Sequence, residues 1–344
     1  MKNNNSRSFA GIAAATLTAL SIATTVASCG GGGDDVALGP PLPPEQALLD
    51  INAGNAVDVS STVINAINTS FGFGDVIGNF TGIQAASVLA TDEAFGALIT
   101  RPLMSDAFGI QDCDFGGTVE IRGDVAPAIT AGDTIIAIFN SCDDGDGFVI
   151  SGEVDIAIVL IEGTFLTPYF RLDLDVALTD IEIIEGADIA FAEGDFRLLL
   201  DSLDWPRVAQ VIEGAELEFG VNIDRIALTD FRHEVRLSGS VSPVGVIVTA
   251  EGQMDSTELG GAVEYQTPWS FQAWDGFDPF FGEMLIIGNR NSSVRIIVND
   301  INSVTLEVDG SGNGVIDAYI DATWSDLIDT LVPSAAEPGI TPVK

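Results

Sequence analysis

From Gly117 onward the chain alternates apolar and polar residues with a period of two. Leu172, Leu174, Val176 and Leu178 interleave with Asp173, Asp175, Ala177 and Thr179, and Leu217, Phe219, Val221 and Ile223 interleave with Glu218, Gly220, Asn222 and Asp224. A strand turns successive side chains to opposite faces, so this alternation predicts strands with one face packed and the other in water. It recurs in Val304, Leu306 and Val308, and in Ile316, Ala318, Ile320, Ala322 and Trp324. Turns are expected at Ala131-Gly132-Asp133, Glu193-Gly194-Asp195 and Asp309-Gly310-Ser311-Gly312. No amphipathic helix of crossover length intervenes, so the strands should pair mainly antiparallel. The expected fold is mainly β: a large antiparallel meander forming a curved sheet, open barrel or sandwich, with a short N-terminal helical region.

That helical region is expected from Glu45 to about Ser70. Leu48, Leu49 and Ile51, then Val57, Val59, Val63, Ile64 and Ile67, recur at spacings of three and four, with Gly54 as an interruption. From Phe71 to Thr100 small residues and aromatics mix without a period, which predicts irregular chain with a short helix near Ala94 to Ile99. A weak echo lies further on: Val176-Ala177-Leu178-Thr179-Asp180-Ile181 resembles Ile226-Ala227-Leu228-Thr229-Asp230-Phe231 about 50 residues later, as a duplicated group of strands would.

The first twenty-nine residues change the picture from fold to address. Lys2 and Arg7 precede an apolar run from Phe9 to Val26, followed by Val26-Ala27-Ser28-Cys29. This segment resembles a bacterial lipoprotein signal peptide. The resemblance implies cleavage before Cys29, a diacylglycerol on its thiol, and Cys29 as the mature N-terminus. A spanning helix is the competing reading, but Thr16, Thr18, Ser21, Thr24 and Thr25 break the apolar run. Gly30 to Gly33, Asp34-Asp35 and the proline-rich 39–44 cannot bury enough apolar surface to offset their ordering entropy, and read as a flexible tether with a stiffer spacer. In the family resembled, aspartate directly after the cysteine favours inner-membrane retention; Gly30 stands there, so outer-membrane delivery is expected. The chain thus divides into signal peptide 1–28, lipidated tether 29–44, helical or irregular region 45–100, antiparallel β domain 101–332 and flexible tail 333–344.

The whole chain carries 13 Lys plus Arg against 51 Asp plus Glu, a formal charge of −38. Removal of residues 1–28 takes away Lys2 and Arg7 but no acid, leaving −40. Nucleic acid is excluded as a partner, because phosphates need basic patches. Membrane association must rest on the acyl anchor rather than on charge. Hydrophobic residues make up 47% of the chain, so it is not an acidic disordered polymer, and most carboxylates belong on the solvated face of the sheet.

With Cys29 lipidated, Cys113 and Cys142 remain as an even pair in an oxidising compartment, which reads as a disulfide worth roughly 3 to 4 kcal/mol in the chain-entropy model. One histidine and two such cysteines cannot build a tetrahedral zinc site, so a metal would be a hard ion on oxygen ligands. No cofactor is required by any motif, and calcium is the one left open. His233 is the sole candidate histidine base; taken as lying opposite the apolar positions of its strand, it is expected to be exposed, and no Gly-x-Ser-x-Gly elbow accompanies it. Asp309, Ser311, Asn313 and Asp317, with Gly314 at the bend, match the first nine positions of a calcium loop, although Ile320 stands where a bidentate acid is needed. A plain hairpin tip is the competing reading, as it is for the shorter acidic turn Asp143 to Gly147. Trp269, Phe271, Trp274 and Phe277, followed by Phe280 and Phe281, form an aromatic run with Asp275 and Asp278 that suits an apolar ligand or a glycan, or else covers the end of a β core.

Cys113 with Gly116-Gly117, Gly132-Asp133 running to Phe139-Asn140 and Cys142, the strand from Gly282 to Gly288, and the Asp309 loop leading to Thr323-Trp324 together resemble a group of bacterial envelope lipoproteins. That resemblance implies the address and the disulfide, and no activity. The expected function is a membrane-anchored, non-catalytic envelope protein binding an apolar ligand or glycan. A calcium-assisted adhesion module and a hydrolase using two carboxylates are the alternatives.

Overall fold

A computed structural model describes residues 47–81, 109–113, 115–124, 130–143, 148–163, 169–239, 244–274 and 277–328. The segments expected as signal peptide and tether, the expected helix at Ala94 to Ile99, the acidic run 144–147 and the expected C-terminal tail lie outside the described residues. Helix α1 (Ala56–Thr81) precedes a single sheet of fourteen strands. They are β1 (Gly109–Asp112), β2 (Gly116–Asp124), β3 (Thr134–Asp143), β4 (Phe148–Gly163), β5 (Phe170–Glu185), β6 (Asp188–Asp201) and β7 (Arg207–Val221). Then follow β8 (Asp224–Ser238), β9 (Gly245–Ser256), β10 (Gly261–Trp274), β11 (Phe281–Ile287), β12 (Ser293–Asp300), β13 (Ser303–Asp309) and β14 (Ala318–Thr323). Each strand pairs antiparallel with the next, in sequence order, and the sheet does not close. The short helix α2 (Trp324–Leu327) follows β14.

The inner face carries the alternating aliphatics. Leu172, Leu174, Leu198, Leu200, Ile212, Leu217, Phe219 and Leu228 are each at most 1% exposed, and they join one apolar core with Val59, Val63 and Ile67 of α1. The helix packs against β7 and β8 and also against β12, β13 and α2, so the sheet curls around it. At about 25 cal/mol per Å² of apolar surface, shared burial of this kind is the main force holding helix to sheet.

A transverse line of irregularities bends the sheet. Register shifts fall on successive strands near Ser141 of β3, Gly152 of β4, Asp180 of β5, Glu193 of β6, Gly214 of β7 and Asp230 of β8, and again at Gly282 of β11. Asp180 (φ 49°) faces Gly152 (φ 113°), and Asp230 (φ 45°) faces Gly252 (φ 153°). A Cβ at position 152 would lie 2.4 Å from the Asp180 carbonyl oxygen, and one at 252 would lie 2.8 Å from both Phe231 Cβ and the Tyr265 hydroxyl. Only glycine fits both the left-handed backbone and the close approach. The Leu-Thr-Asp echo therefore marks two bulges of one crease, facing the preceding strand in β5 and the following strand in β8.

Several boundaries differ from the sequence expectation. The helix begins at Ala56 rather than Glu45 and runs on through Phe71 to Thr81. Its start is set by an asparagine turn: Asn52 Oδ1 accepts the Gly54 N–H at 2.8 Å, and Asn55 Oδ1 accepts the Asn52 N–H at 2.8 Å. Leu48 and Leu49 instead lie along β10, with Leu49 N–H donating to the Ala262 carbonyl at 2.9 Å. Ile51 is fully buried, and its N–H donates to Ser292 Oγ at 3.0 Å. Glu193-Gly194-Asp195 is not a turn but lies within β6, paired in register with Glu218, Leu217 and Glu216 of β7 and facing the bulge at Asp180 of β5. Strand β1 starts eight residues before Gly117, and Ile223 sits in the β7–β8 turn, 79% exposed.

Candidate functional site

The sole histidine is fully buried, which corrects the expectation of an exposed strand residue. The bulge at Asp230 inserts one residue into β8 and reverses the in–out alternation: Leu228 points inward before it, Phe231 and His233 after it. The imidazole joins three elements. His233 Nδ1 lies 2.6 Å from Ser70 Oγ on α1, and Nε2 lies 2.7 Å from the Tyr265 hydroxyl on β10. Phe71, Phe231 and Tyr265 surround the ring, with centroids 6.0, 5.3 and 5.7 Å away.

The proton positions follow from valence. Ser70 Oγ donates to the Ile67 carbonyl at 2.7 Å, so it accepts from His233 and the proton sits on Nδ1. Nε2 is then the acceptor for Tyr265 O–H. Desolvation drives the imidazole pKa from 6.5 down to about 3, so the ring is neutral, and burial likewise pushes the Tyr265 phenol up. The chain Tyr265 to His233 to Ser70 to Ile67 is satisfied at every step. The serine proton goes to a backbone carbonyl rather than to the imidazole, the reverse of what an activated nucleophile needs. Sequence reading missed both partners. The available signals were a serine continuing the Val59, Val63, Ile67 stripe and a tyrosine in phase with buried Val263.

The outer face over β5–β8 carries a ladder of opposite charges. Arg197 holds Asp173 and lies 3.9 Å from Glu213, Arg232 pairs with Glu213 and lies 3.3 Å from Glu234, and Arg236 also pairs with Glu234. Hydrogen bonding to Asp173, before any longer-range attraction, raises the Arg197 pKa. Beside this ladder lies an open depression of about 360 Å³, with Ala157, Ala177 and Gly214 among Asp155, Asp175, Asp195, Arg197 and Glu213. Among the described residues the buried acidic residues are Asp173, Glu234 and Asp309, the first two held by arginine and the third by its own loop. The buried Oδ1 atoms of the partly exposed Asp155 and Asp255 have no hydrogen-bond partner, and burial raises the Asp255 pKa. No three His, Cys, Asp or Glu side chains among the described residues come together as metal ligands.

In the Asp309 loop the expected ligand residues bond to one another and to the loop's backbone N–H groups. Asp309 Oδ1 accepts from Ser311 Oγ and the Asn313 N–H, both at 3.2 Å, and Oδ2 accepts from the Gly314 N–H at 2.6 Å. Asp317 Oδ2 accepts the Ser311 N–H at 2.9 Å, and Asn313 Oδ1 the Val315 N–H at 2.8 Å. Burial pushes the Asp309 carboxyl up, but the N–H groups of Gly314 and Asn313 outweigh it and hold the pKa below the usual value. Cys113 and Cys142 form a disulfide with a Cα–Cα distance of 5.5 Å, fastening the β1–β2 connection to β3.

The aromatic run divides between core and surface. Phe271 is 7% exposed and packs edge-on against Trp324, 5.8 Å between ring centroids, so it belongs to the core rather than to the expected ligand surface. Trp324 in turn donates its indole N–H to the Pro279 carbonyl at 3.1 Å and closes the end of the sheet. Trp269 (60%), Trp274 (43%) and Phe277 (65%) are exposed, together with Phe281 (44%). Trp269 meets Phe281 edge-on at 6.3 Å, and Trp274 lies 5.4 Å from Phe280. No helix among the described residues is long and apolar enough to cross a membrane, which says nothing of strands. Compared with protein-family models, curated proteins and solved structures, the chain matches none.

Proposed function

We propose that this chain is a lipid-anchored, non-catalytic protein of the cell envelope, delivered to the outer membrane, whose sheet offers a surface to an apolar ligand or a glycan. The observation that carries the binding role is the exposed strip of Trp269, Trp274 and Phe281, with Phe277 at the tip of the same connection. A contiguous group of exposed rings on a protein surface is often functional. The non-catalytic role is supported by the spent proton of Ser70 and by the occupied carboxylates of Asp173, Glu234 and Asp309. The anchor rests on Val26-Ala27-Ser28-Cys29. Cys29→Ala is expected to move the protein from the membrane fraction to the soluble fraction. Unchanged membrane association would overturn the anchor and favour a spanning helix.

A calcium-assisted surface module is the second reading. It is favoured by the gathering of Asp309, Ser311, Asn313 and Asp317 in one loop, and it requires Asp309 to exchange its backbone partners for an ion.

A further inference from the structure

We propose that the aromatic strip on the outer face of β10 and β11 takes an uncharged glycan, its sugar rings stacking on Trp269 and Trp274 while Gln272 hydrogen-bonds their hydroxyls. This rests on the binding role proposed above and names the ligand class. The register places the groups. Trp269 stands opposite Glu283 and Gln272 opposite Phe281, and Glu283 reaches Arg295 at 3.4 Å on the outer face. Trp274, two residues beyond Gln272, therefore shares that face, and lies opposite Gly245, where a Cβ would be 3.9 Å from the indole. The absence of a side chain at position 245 leaves the ring room to spread over β9.

Three considerations choose the occupant. The first is area. Four aromatic side chains of roughly 150 to 250 Å² each, about half exposed, present about 400 Å², half of the roughly 800 Å² per partner that a stable protein interface buries. A second copy or a globular partner is underserved by this strip, whereas two or three sugar rings match it. The second is shape. Drug-sized apolar ligands bury about 70 to 90% of their surface in a cleft, and this strip lies on an open sheet face. A sugar needs only one wall, because its C–H face stacks on a ring while its hydroxyls stay in water. The third is charge. A chain of formal charge −38 repels anionic polymers, and the strip supplies Gln272 and the Glu283–Arg295 pair as neutral polar partners. The chain from the tether joins beside Ala262, at the opposite end of β10 from Trp274, about 40 Å away at about 3.3 Å per residue, so the aromatic connection stands at the end remote from the tether's attachment.

The test uses the full chain carrying Cys29→Ala, so that no detergent competes for the rings. Co-sedimentation with cellulose and chitin is compared with an alginate gel, and Nile red reports apolar binding. Retention on a neutral polysaccharide but not on alginate is expected, with at least a tenfold loss in Trp269→Ala and in Trp274→Ala at unchanged melting temperature. Tyr319→Ala, an aromatic 68% exposed on β14, is expected to bind as the parent does. Glycan binding that survives both tryptophan substitutions overturns the strip as the site. Nile red binding lost in those variants, with no glycan retained, overturns the glycan and leaves the binding role standing. Retention of neither probe overturns both.

Discussion

Burying the only histidine is tolerable because every polar atom around it is used. An unmet donor or acceptor in that position would cost about 1 to 3 kcal/mol, and a charged imidazole far more. The same arrangement makes the protein acid-sensitive in a defined window. The folded-state pKa of His233, about 3, lies below the unfolded value of 6.5, so the unfolded chain takes up its proton first. Its stabilising contribution is fully present above pH 6.5 and is lost as pH falls toward 3. Between pH 7.5 and pH 5, where few carboxylates have begun to titrate, unfolding free energy from urea melts is expected to fall by about 2 kcal/mol. His233→Gln should flatten that slope while lowering stability at pH 7.5. A wild-type slope equal to that of the variant would mean that the imidazole is not held neutral in the fold.

At the level of elements, the crease decides what the chain's pattern can reveal. Runs of strict alternation such as Leu172 to Leu178 were legible, because a half-buried strand has no other way to place its aliphatics. Phase was not legible across a bulge. One extra residue at Asp230 turns His233 from the outer face to the core, and Glu193-Gly194-Asp195, with the composition of a turn, lies inside β6 opposite the Asp180 bulge, where Gly194 has φ 127°. The helix start was misplaced because Leu48, Leu49 and Ile51 have helical spacing but run as an extended strap across β10 and the β11–β12 connection, which buries Ile51 and leaves Leu48 exposed. Of the candidate sites, the disulfide and the exposed tryptophans were visible from residue type alone. The buried hydrogen-bond chain was not, since it unites residues 70, 233 and 265 through tertiary packing. The crease itself is testable at Gly252. Gly252→Ala combines a strained φ of 153° with contacts of 2.8 Å to Phe231 and Tyr265, and is expected to destabilise by about 3 kcal/mol in denaturant melts. Gly260→Ala, in a turn with open space around it, is expected to cost less than half as much despite its own positive φ of 70°. Equal losses at the two positions would mean that the crease has no tight packing to protect.

For the molecule as a whole, charge is the dominant unspent term. The described residues contain nine arginines and no lysine, and eight of those arginines form ion pairs on or near the sheet surface. The many remaining carboxylates repel one another through water, and the fold bears that repulsion because opening the chain only partly separates charges that already stand on the solvated face. Salt should therefore stabilise the protein by screening, with most of the effect gained as the Debye length falls from about 30 Å at 0.01 M to about 8 Å at 0.15 M. Divalent ions will act in the same direction at lower concentration, which bears on the Asp309 loop. A loop whose carboxylates already accept Gly314, Asn313 and Ser311 N–H groups must give these up to hold a metal. Calcium and magnesium at equal millimolar concentration are thus expected to raise the melting temperature equally. Asp309→Asn should lower it by a similar amount in either ion, because the amide's single oxygen cannot replace both carboxylate acceptors. A calcium-specific gain present in the parent and absent from Asp309→Asn would instead show the loop releasing its backbone partners for the ion, since a ligand that binds only the folded state stabilises it by mass action. That result would make the calcium-assisted module the better account of this end of the sheet.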